Sequence, residues 1–181
     1  EYCIGVDVSE GIGKDYSVAC VIKKGNGTPD LHVATYRERK TNPFNLAYKI
    51  APLGNWYNTA QVAIEYTGSG SSTADALLNL IRYNNIYRRK ISGDFSKTQG
   101  NGYHWLTNAG SKPKLISSME RWLSEELLII RDFDLVEEIK VFVKQEESKK
   151  TEAARQKGTE YHDDYLMAMM ITVYTAHQMD F

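Results

Sequence analysis

Four acidic residues lie where predicted strands or helices begin or end, and together they could bind metal ions. Asp7 interrupts an apolar strand, Glu65 closes a second one, and Asp163 and Asp164 open an apolar helix late in the chain. In open α/β sheets, functional sites form beyond the carboxyl ends of strands. A carboxylate on a buried strand is also costly unless it is paired or binds a cation. We therefore expect the four carboxylates to meet at one edge of a sheet.

The chemistry of these side chains points to hard divalent cations. Carboxylate oxygens suit Mg²⁺ or Mn²⁺, whereas zinc prefers His and Cys ligands. Two such ions about 4 Å apart can hydrolyse a phosphodiester, because one activates water and the other stabilises the leaving oxygen. The pattern predicts this chemistry with Asp7, Glu65 and Asp164 as catalytic metal ligands and with Asp163 as a further ligand. Taken singly, each residue could instead cap a helix or form a salt bridge.

The glycine-rich segment 11–15 follows the first predicted strand and has two interpretations. Gly11, Gly13 and Lys14 weakly resemble a phosphate-binding loop. The spacing is wrong for such a loop, and a strand follows it where a helix would be needed, so a hairpin turn is favoured. Asp15 ends the turn, and we expect it to support the metal site from outside the ligand set, beside Asp7.

Apolar periodicity gives the order of the elements. Strands are predicted at 3–8, 16–24, 31–37, 61–65 and 86–91. Helices are predicted at 43–54, 74–81, 112–127, 134–143 and 162–179, the first with Asn42 as its cap. Three strands in succession, followed by strands that alternate with helices, indicate an α/β domain with a mixed sheet.

Composition sets limits on the function. The chain has 181 residues, 22 Lys and Arg against 23 Asp and Glu, and a net charge of −1, so a nucleic-acid partner would have to bind local basic groups. The length favours one domain. No apolar run is long enough to span a bilayer and no signal peptide is visible, so we expect a soluble protein without membrane contact. Cys3 and Cys20 lie in apolar runs, which favours buried thiols over a disulfide or zinc site.

Several motifs, in their order and spacing, carry a resemblance to a known family. They lie at 5–17, 63–68 and 158–168, with His162, Asp163 and Asp164 in the last, and at 102–113 and 134–142 between them. The chain resembles, over essentially its whole length, the C-terminal nuclease domain of the large terminase subunit of tailed double-stranded DNA bacteriophages. The second acidic position is Glu65, where many relatives carry Asp.

The resemblance implies an RNase H-like, RuvC-type α/β fold, with a mixed central sheet flanked by helices. It implies two divalent ions, Mg²⁺ or Mn²⁺, and cleavage of double-stranded DNA concatemers during genome packaging, with little sequence preference. His162 would support the metal ligands from outside.

The same resemblance makes residues 1–181 a nuclease domain from a longer chain that carries an N-terminal ATPase motor. The implied partners are that motor, the portal and the small terminase subunit, and the implied location is the cytoplasm of the infected bacterial host.

Contacts with DNA would come from local basic groups and be made to phosphate. The strongest candidates are Lys149, Lys150, Arg155 and Lys157, in a polar segment at 144–158 that we interpret as a mobile loop before the acidic helix. Further basic groups lie at 37–40, 82–90 and 112–114. The aromatic residues at 103–105 could stack on DNA, although a packed hairpin is favoured.

Three alternatives stay open. A RuvC-like Holliday-junction resolvase would share the metal chemistry and differ in the DNA shape it prefers. An actin-like or sugar-kinase ATPase lobe would need a second phosphate loop, for which Gly68, Ser69, Gly70 and Ser71 are poor candidates. A non-catalytic DNA-docking module would bind DNA and leave it uncut.

Overall fold

A mixed five-stranded sheet forms the centre of the domain. The computed structural model describes residues 1–89, 102–143 and 163–177 in full and residues 144–150 as backbone. Within these ranges the strands are β1 (Tyr2–Asp7), β2 (Ser17–Lys23), β3 (Asp30–Glu38), β4 (Gln61–Ile64) and β5 (Leu128–Ile129), in the spatial order β4-β1-β2-β3-β5. β2 is antiparallel to β1 and β3, whereas β4 is parallel to β1 and β5 is parallel to β3. The predicted α/β class and the meander of the first three strands are confirmed.

Helices cover both faces of the sheet. They are α1 (Pro43–Trp56), α2 (Gly70–Asp75, continued by a π-helical turn at Ala76–Leu80), α3 (Lys112–Ser124), α4 (Phe133–Lys150) and α5 (Asp164–His177). Alternate β-strand side chains pack on opposite faces, as a two-residue repeat requires. Cys20 and Ile22 join the core formed with α3 and α5, whereas Ala19 and Val21 join the core formed with α1.

Helix α5 lies directly against β1. The backbone N–H of Gly5 donates to Thr172 Oγ1 at 2.9 Å, and a Cβ on Gly5 would lie 2.5 Å from the backbone oxygen of Ala168. Only glycine permits this approach of helix and strand backbones. The close packing brings the first turn of α5 to the carboxyl end of β1, which is where Asp7 lies.

Several predicted elements are correct in position. Asn42 caps α1 as expected, because its Oδ1 accepts the N–H of Phe44 at 2.9 Å. Cys3 and Cys20 are buried free thiols. Among the described helices, none is both long and apolar enough to cross a membrane.

Other predicted elements are wrong. The predicted strand at 86–91 is reduced, in its described part, to isolated bridges from Ile86 to Val62 and from Arg88 to Tyr103. The predicted loop at 144–158 is wrong for residues 144–150, which continue α4, while 151–158 lie outside the described residues. The short strand β5 was not predicted.

Candidate functional site

Asp7 and Glu65 are neighbours at the carboxyl ends of two parallel strands. Val6 of β1 is in register with Ile64 of β4, and the N–H of Glu65 donates to the carbonyl of Val6 at 2.9 Å. Burial, followed by the negative charge and hydrogen bond of Glu65, raises the pKa of Asp7 well above its ordinary value. Burial and the neighbouring carboxyl group thus disfavour the charged form of Asp7.

Helix α5 adds Asp163 and Asp164 to the same place. The charges of both residues also raise the pKa of Asp7. Asp164 Oδ2 accepts the backbone N–H of Tyr16 at 2.9 Å, while Asp163 Oδ2 lies 4.0 Å from Lys112 Nζ. The structure thus brings the other three predicted carboxylates within electrostatic reach of Asp7, and we call Asp7, Glu65, Asp163 and Asp164 the carboxylate cluster.

The turn between β1 and β2 is a packed hairpin, as favoured from the sequence. Gly11 has φ +73°, and a Cβ there would lie 2.4 Å from the carbonyl oxygen of Thr41. The N–H of Gly13 donates to the carbonyl of Arg39 at 3.1 Å. Asp15 lies exposed in this turn, and its support of the metal site stays a prediction.

Glu138 is a fifth acidic residue near the cluster, and it is not among the site residues predicted from the sequence. Its Oε2 accepts the backbone N–H groups of Tyr165 at 3.0 Å and Leu166 at 3.1 Å. Burial raises the pKa of Glu138 to about 7; the charge of Asp164 adds to the shift and the two backbone donors oppose it. A signal existed, because Glu138 falls between the apolar positions Leu135 and Phe142 on one helical face.

Cationic side chains border the cluster. The guanidinium carbons of Arg37 and Arg39 lie 3.7 and 3.9 Å from the ring centroid of Tyr16, within cation–π distance. Arg37 Nη1 also contacts the exposed Asp134 at 2.9 Å. With Lys112, which faces Asp163, these two arginines form what we call the positive rim.

A buried segment supports the end of β4. The N–H of Trp105 donates to the carbonyl of Ile64, and the N–H of Ile64 donates to His104 Nδ1 at 3.2 Å. His104 and Trp105 are 1% and 4% exposed, so neither can stack on DNA, and that alternative is wrong for both. Burial lowers the pKa of His104 to about 3, which keeps the imidazole neutral and able to accept this hydrogen bond.

Other predicted site residues are beyond the described side chains. Lys149 and Lys150 lie at the end of α4, where the structure gives backbone alone, and Arg155, Lys157 and His162 lie outside the described residues. Their roles stay predictions.

The donor set fits hard divalent ions by its chemistry. It consists of carboxylate oxygens, which are the ligands that hard cations such as Mg²⁺ and Mn²⁺ prefer. In the described part of the chain, no three His, Cys, Asp or Glu side chains are placed to hold one ion.

The fold and the site together define an RNase H-like domain. Its mixed sheet carries acidic residues at the ends of β1 and β4, and further acidic residues lie at the start of the packed helix α5. The family described as the terminase RNase H-like domain matches residues 4–174 of this chain, and the chain belongs to that family. The resemblance to the C-terminal nuclease domain of the large terminase subunit is thereby confirmed.

Solved structures agree on the fold. The magnesium-bound large terminase nuclease of thermophilic phage G20c aligns with a TM-score of 0.65 and 17% identity, over 95% of this chain and 79% of that one. The zinc-bound form of the same nuclease aligns with a TM-score of 0.61 and 18% identity, over 94% of this chain and 78% of that one. The large terminase nuclease domain of Thermus phage P74-26 aligns with a TM-score of 0.56 and 17% identity, over 94% of this chain and 77% of that one. No curated protein sequence matches the chain.

Proposed function

We propose that this domain is a divalent-metal-dependent endonuclease that cuts double-stranded DNA concatemers during viral genome packaging, with little sequence preference. The observation that carries the proposal is the carboxylate cluster, in which β1, β4 and α5 each deliver acidic side chains to one edge of the sheet. Membership of the terminase family supports the biological setting.

Asp7, Glu65 and Asp164 would hold two ions, Mg²⁺ or Mn²⁺, with Asp163 as a further ligand. When bound, the ions supply the positive charge that activates water and stabilises the leaving oxygen of a phosphodiester. Structures of the large terminase nuclease of phage G20c contain bound magnesium, zinc or cobalt, which supports a divalent site in this chain. Asp15 and His162 would support the ligands from outside.

The protein itself must orient the metal ligands and balance their negative charge. The backbone N–H of Tyr16 fixes one oxygen of Asp164, and pairing of β1 with β4 fixes the spacing of Asp7 and Glu65. Because burial and mutual repulsion raise the pKa of Asp7, bringing cations into the cluster relieves an unfavourable crowding of negative charge. The same crowding repels DNA phosphates, so cationic side chains must border the site.

The positive rim of Arg37, Arg39 and Lys112 would offset this repulsion and contact the DNA backbone. Lys149, Lys150, Arg155 and Lys157 would extend the contact. All of these would contact phosphates, which give affinity without reading the base sequence. No described element supports base reading in particular, so cleavage with little sequence preference is expected.

We also propose the partners and the location that the resemblance to the family implies. Residues 1–181 would be the nuclease part of a chain with an N-terminal ATPase motor, working with the portal and the small terminase subunit. The site of action would be the cytoplasm of the infected bacterial host.

A plasmid cleavage assay tests the proposal. The domain should nick or linearise supercoiled DNA with Mn²⁺ or Mg²⁺, and excess EDTA should stop it. Cleavage that continues unchanged in EDTA would contradict the metal mechanism. Preference for a four-way junction over a linear duplex would favour the resolvase alternative. DNA binding with no cleavage under any metal would favour the docking module.

A further inference from the structure

We propose that Glu138 is a positioning residue of the metal site. It caps helix α5 in place of Asp163, so that the carboxylates of Asp163 and Asp164 need not cap their own helix and can bind divalent ions. The inference rests on the proposed function, because it concerns the same carboxylates.

The first turn of α5 has donors that need an acceptor. The N–H of Met167 donates to the carbonyl of Asp163 at 2.8 Å, which makes Asp163 the N-cap residue. The following N–H groups have no acceptor within the helix. An Asp at the N-cap ordinarily accepts from the second or third residue of the helix, which here are Tyr165 and Leu166. An isolated helix of this sequence would therefore use the Asp163 side chain as its own cap.

In the folded domain a different helix supplies that acceptor. Glu138 Oε2, from α4, accepts both N–H groups, at 3.0 Å from Tyr165 and 3.1 Å from Leu166. The Asp163 carboxylate instead faces Lys112, and its charge reaches Asp7. A carboxylate at a helix N-terminus also interacts favourably with the helix dipole, so Glu138 satisfies this end of α5 in both ways.

The arrangement has a consequence for metal binding. Without an acceptor at position 138, the vacant donors of Tyr165 and Leu166 attract the Asp163 side chain, which then turns away from Asp7. Loss of residues that orient metal ligands typically weakens metal affinity by about 10–100-fold. Glu138 should therefore control ion affinity without being a ligand itself.

Four variants separate positioning from simple charge. Glu138→Ala removes both the acceptor and the charge. Glu138→Gln keeps an acceptor oxygen of the same reach and removes the charge. Glu138→Asp keeps the charge and shortens the reach by one methylene. Glu137→Ala is the matched control, because Glu137 precedes it on α4 and pairs with Lys140 on the surface at 2.7 Å.

The readout is a Mn²⁺ titration of each domain without DNA, by calorimetry and by the rise in melting temperature. We expect Glu138→Ala and Glu138→Asp to bind Mn²⁺ at least about tenfold more weakly than the unmodified domain, and Glu138→Gln and Glu137→Ala to stay close to it. The inference is overturned if Glu138→Gln is as weak as Glu138→Ala, or if Glu138→Asp binds normally, since charge would then explain the effect. Unchanged affinity in Glu138→Ala would also overturn it. Should Glu138→Ala not fold, the Gln and Asp variants decide.

Cleavage distinguishes this inference from the proposed function. If the unmodified domain binds Mn²⁺ and does not cut plasmid DNA, the proposed nuclease fails while the titration still decides the role of Glu138. If it cuts DNA, saturating Mn²⁺ should restore most of the cleavage rate of Glu138→Ala. A rate that stays low with the site fully occupied would show that Glu138 acts in the reaction by another route, and would overturn the positioning role.

Discussion

Asp164 Oδ2 accepts a hydrogen bond of 2.9 Å from the backbone N–H of Tyr16, a residue 148 positions earlier in the chain. The ring of Tyr16 lies within cation–π distance of Arg37 and Arg39. Tyr16, which directly precedes β2, therefore contacts both the carboxylate cluster and the positive rim. Because the donor is a main-chain group, the orientation of Asp164 depends on the fold of the hairpin.

The two acidic residues at the start of α5 should differ in importance. Asp163 is the N-cap residue, whereas Asp164 is the first residue of the helix. The structure holds Asp164 by a main-chain donor, while Asp163 faces the partly exposed Lys112. We expect Asp164→Asn to reduce plasmid cleavage more than Asp163→Asn, with initial rates in Mn²⁺ as the measurement. Equal loss in the two variants, or greater loss in Asp163→Asn, would contradict this ranking.

Removing the charge of Asp7 should separate stability from activity. Asp7→Asn keeps the size of the side chain and removes one buried charge from a crowded cluster. The loss of a residue that only orients a metal ligand typically lowers activity by roughly 10–100-fold. Asp7→Asn should lower the cleavage rate by more than this, because it removes a proposed ligand. In EDTA the variant should be as stable as the unmodified domain or more stable, by up to about 1 kcal/mol, which is about 2–4 °C in Tm.

The Asp7 experiment needs a control at an exposed carboxylate. Glu125→Gln serves, because Glu125 lies at the end of α3 and pairs only with the neighbouring surface residue Arg121 in the described contacts. It should leave cleavage and the Mn²⁺-induced rise in Tm unchanged. Full nuclease activity in Asp7→Asn, in protein freed of host nucleases, would rule out the proposed assignment.

Arg39 should contribute to DNA affinity through phosphate. Arg39→Gln removes a guanidinium that stacks on Tyr16, whereas Arg121→Gln removes one on the surface of α3 as a matched control. Measured in EDTA by fluorescence anisotropy, Arg39→Gln should weaken binding equally for unrelated duplex sequences and lower the slope of log affinity against log salt by about 1. A slope identical to that of Arg121→Gln would remove Arg39 from the interface.

The sequence predicted the cluster well because its signals are local. Asp7 and Glu65 each follow a run of apolar residues, and parallel pairing of such strands brings their carboxyl ends together. The apolar character of α5 predicted its burial against the sheet, and so the approach of Asp163 and Asp164 to Asp7.

Glu138 could not be assigned in the same way, since its role depends on how α4 packs against the start of α5. The dense charge of residues 144–150 predicts a loop, yet Glu and Lys are good helix formers and helix α4 continues through them. β5 has only two residues, too few for any periodicity to appear.

Acid should destabilise the domain through His104. Its pKa is lowered to about 3 by burial, whereas an unfolded histidine has its ordinary value of 6.5. Below pH 6.5 the imidazole of His104 takes up a proton in the unfolded chain but stays neutral in the folded domain. The contribution of His104 to stability is therefore complete above pH 6.5 and is lost as the pH falls toward 3. At pH 5 the loss is about 2 kcal/mol, or about 4–8 °C in Tm.

A variant that cannot titrate at this position tests the prediction. His104→Asn keeps an acceptor for the N–H of Ile64 and suits the positive φ of 63° at this position. It cannot titrate, and all other groups are common to both proteins. Thermal unfolding at pH 7.5 and pH 5 in EDTA should therefore show a smaller fall in Tm for His104→Asn than for the unmodified domain, whereas equal falls would show that His104 does not carry the acid sensitivity.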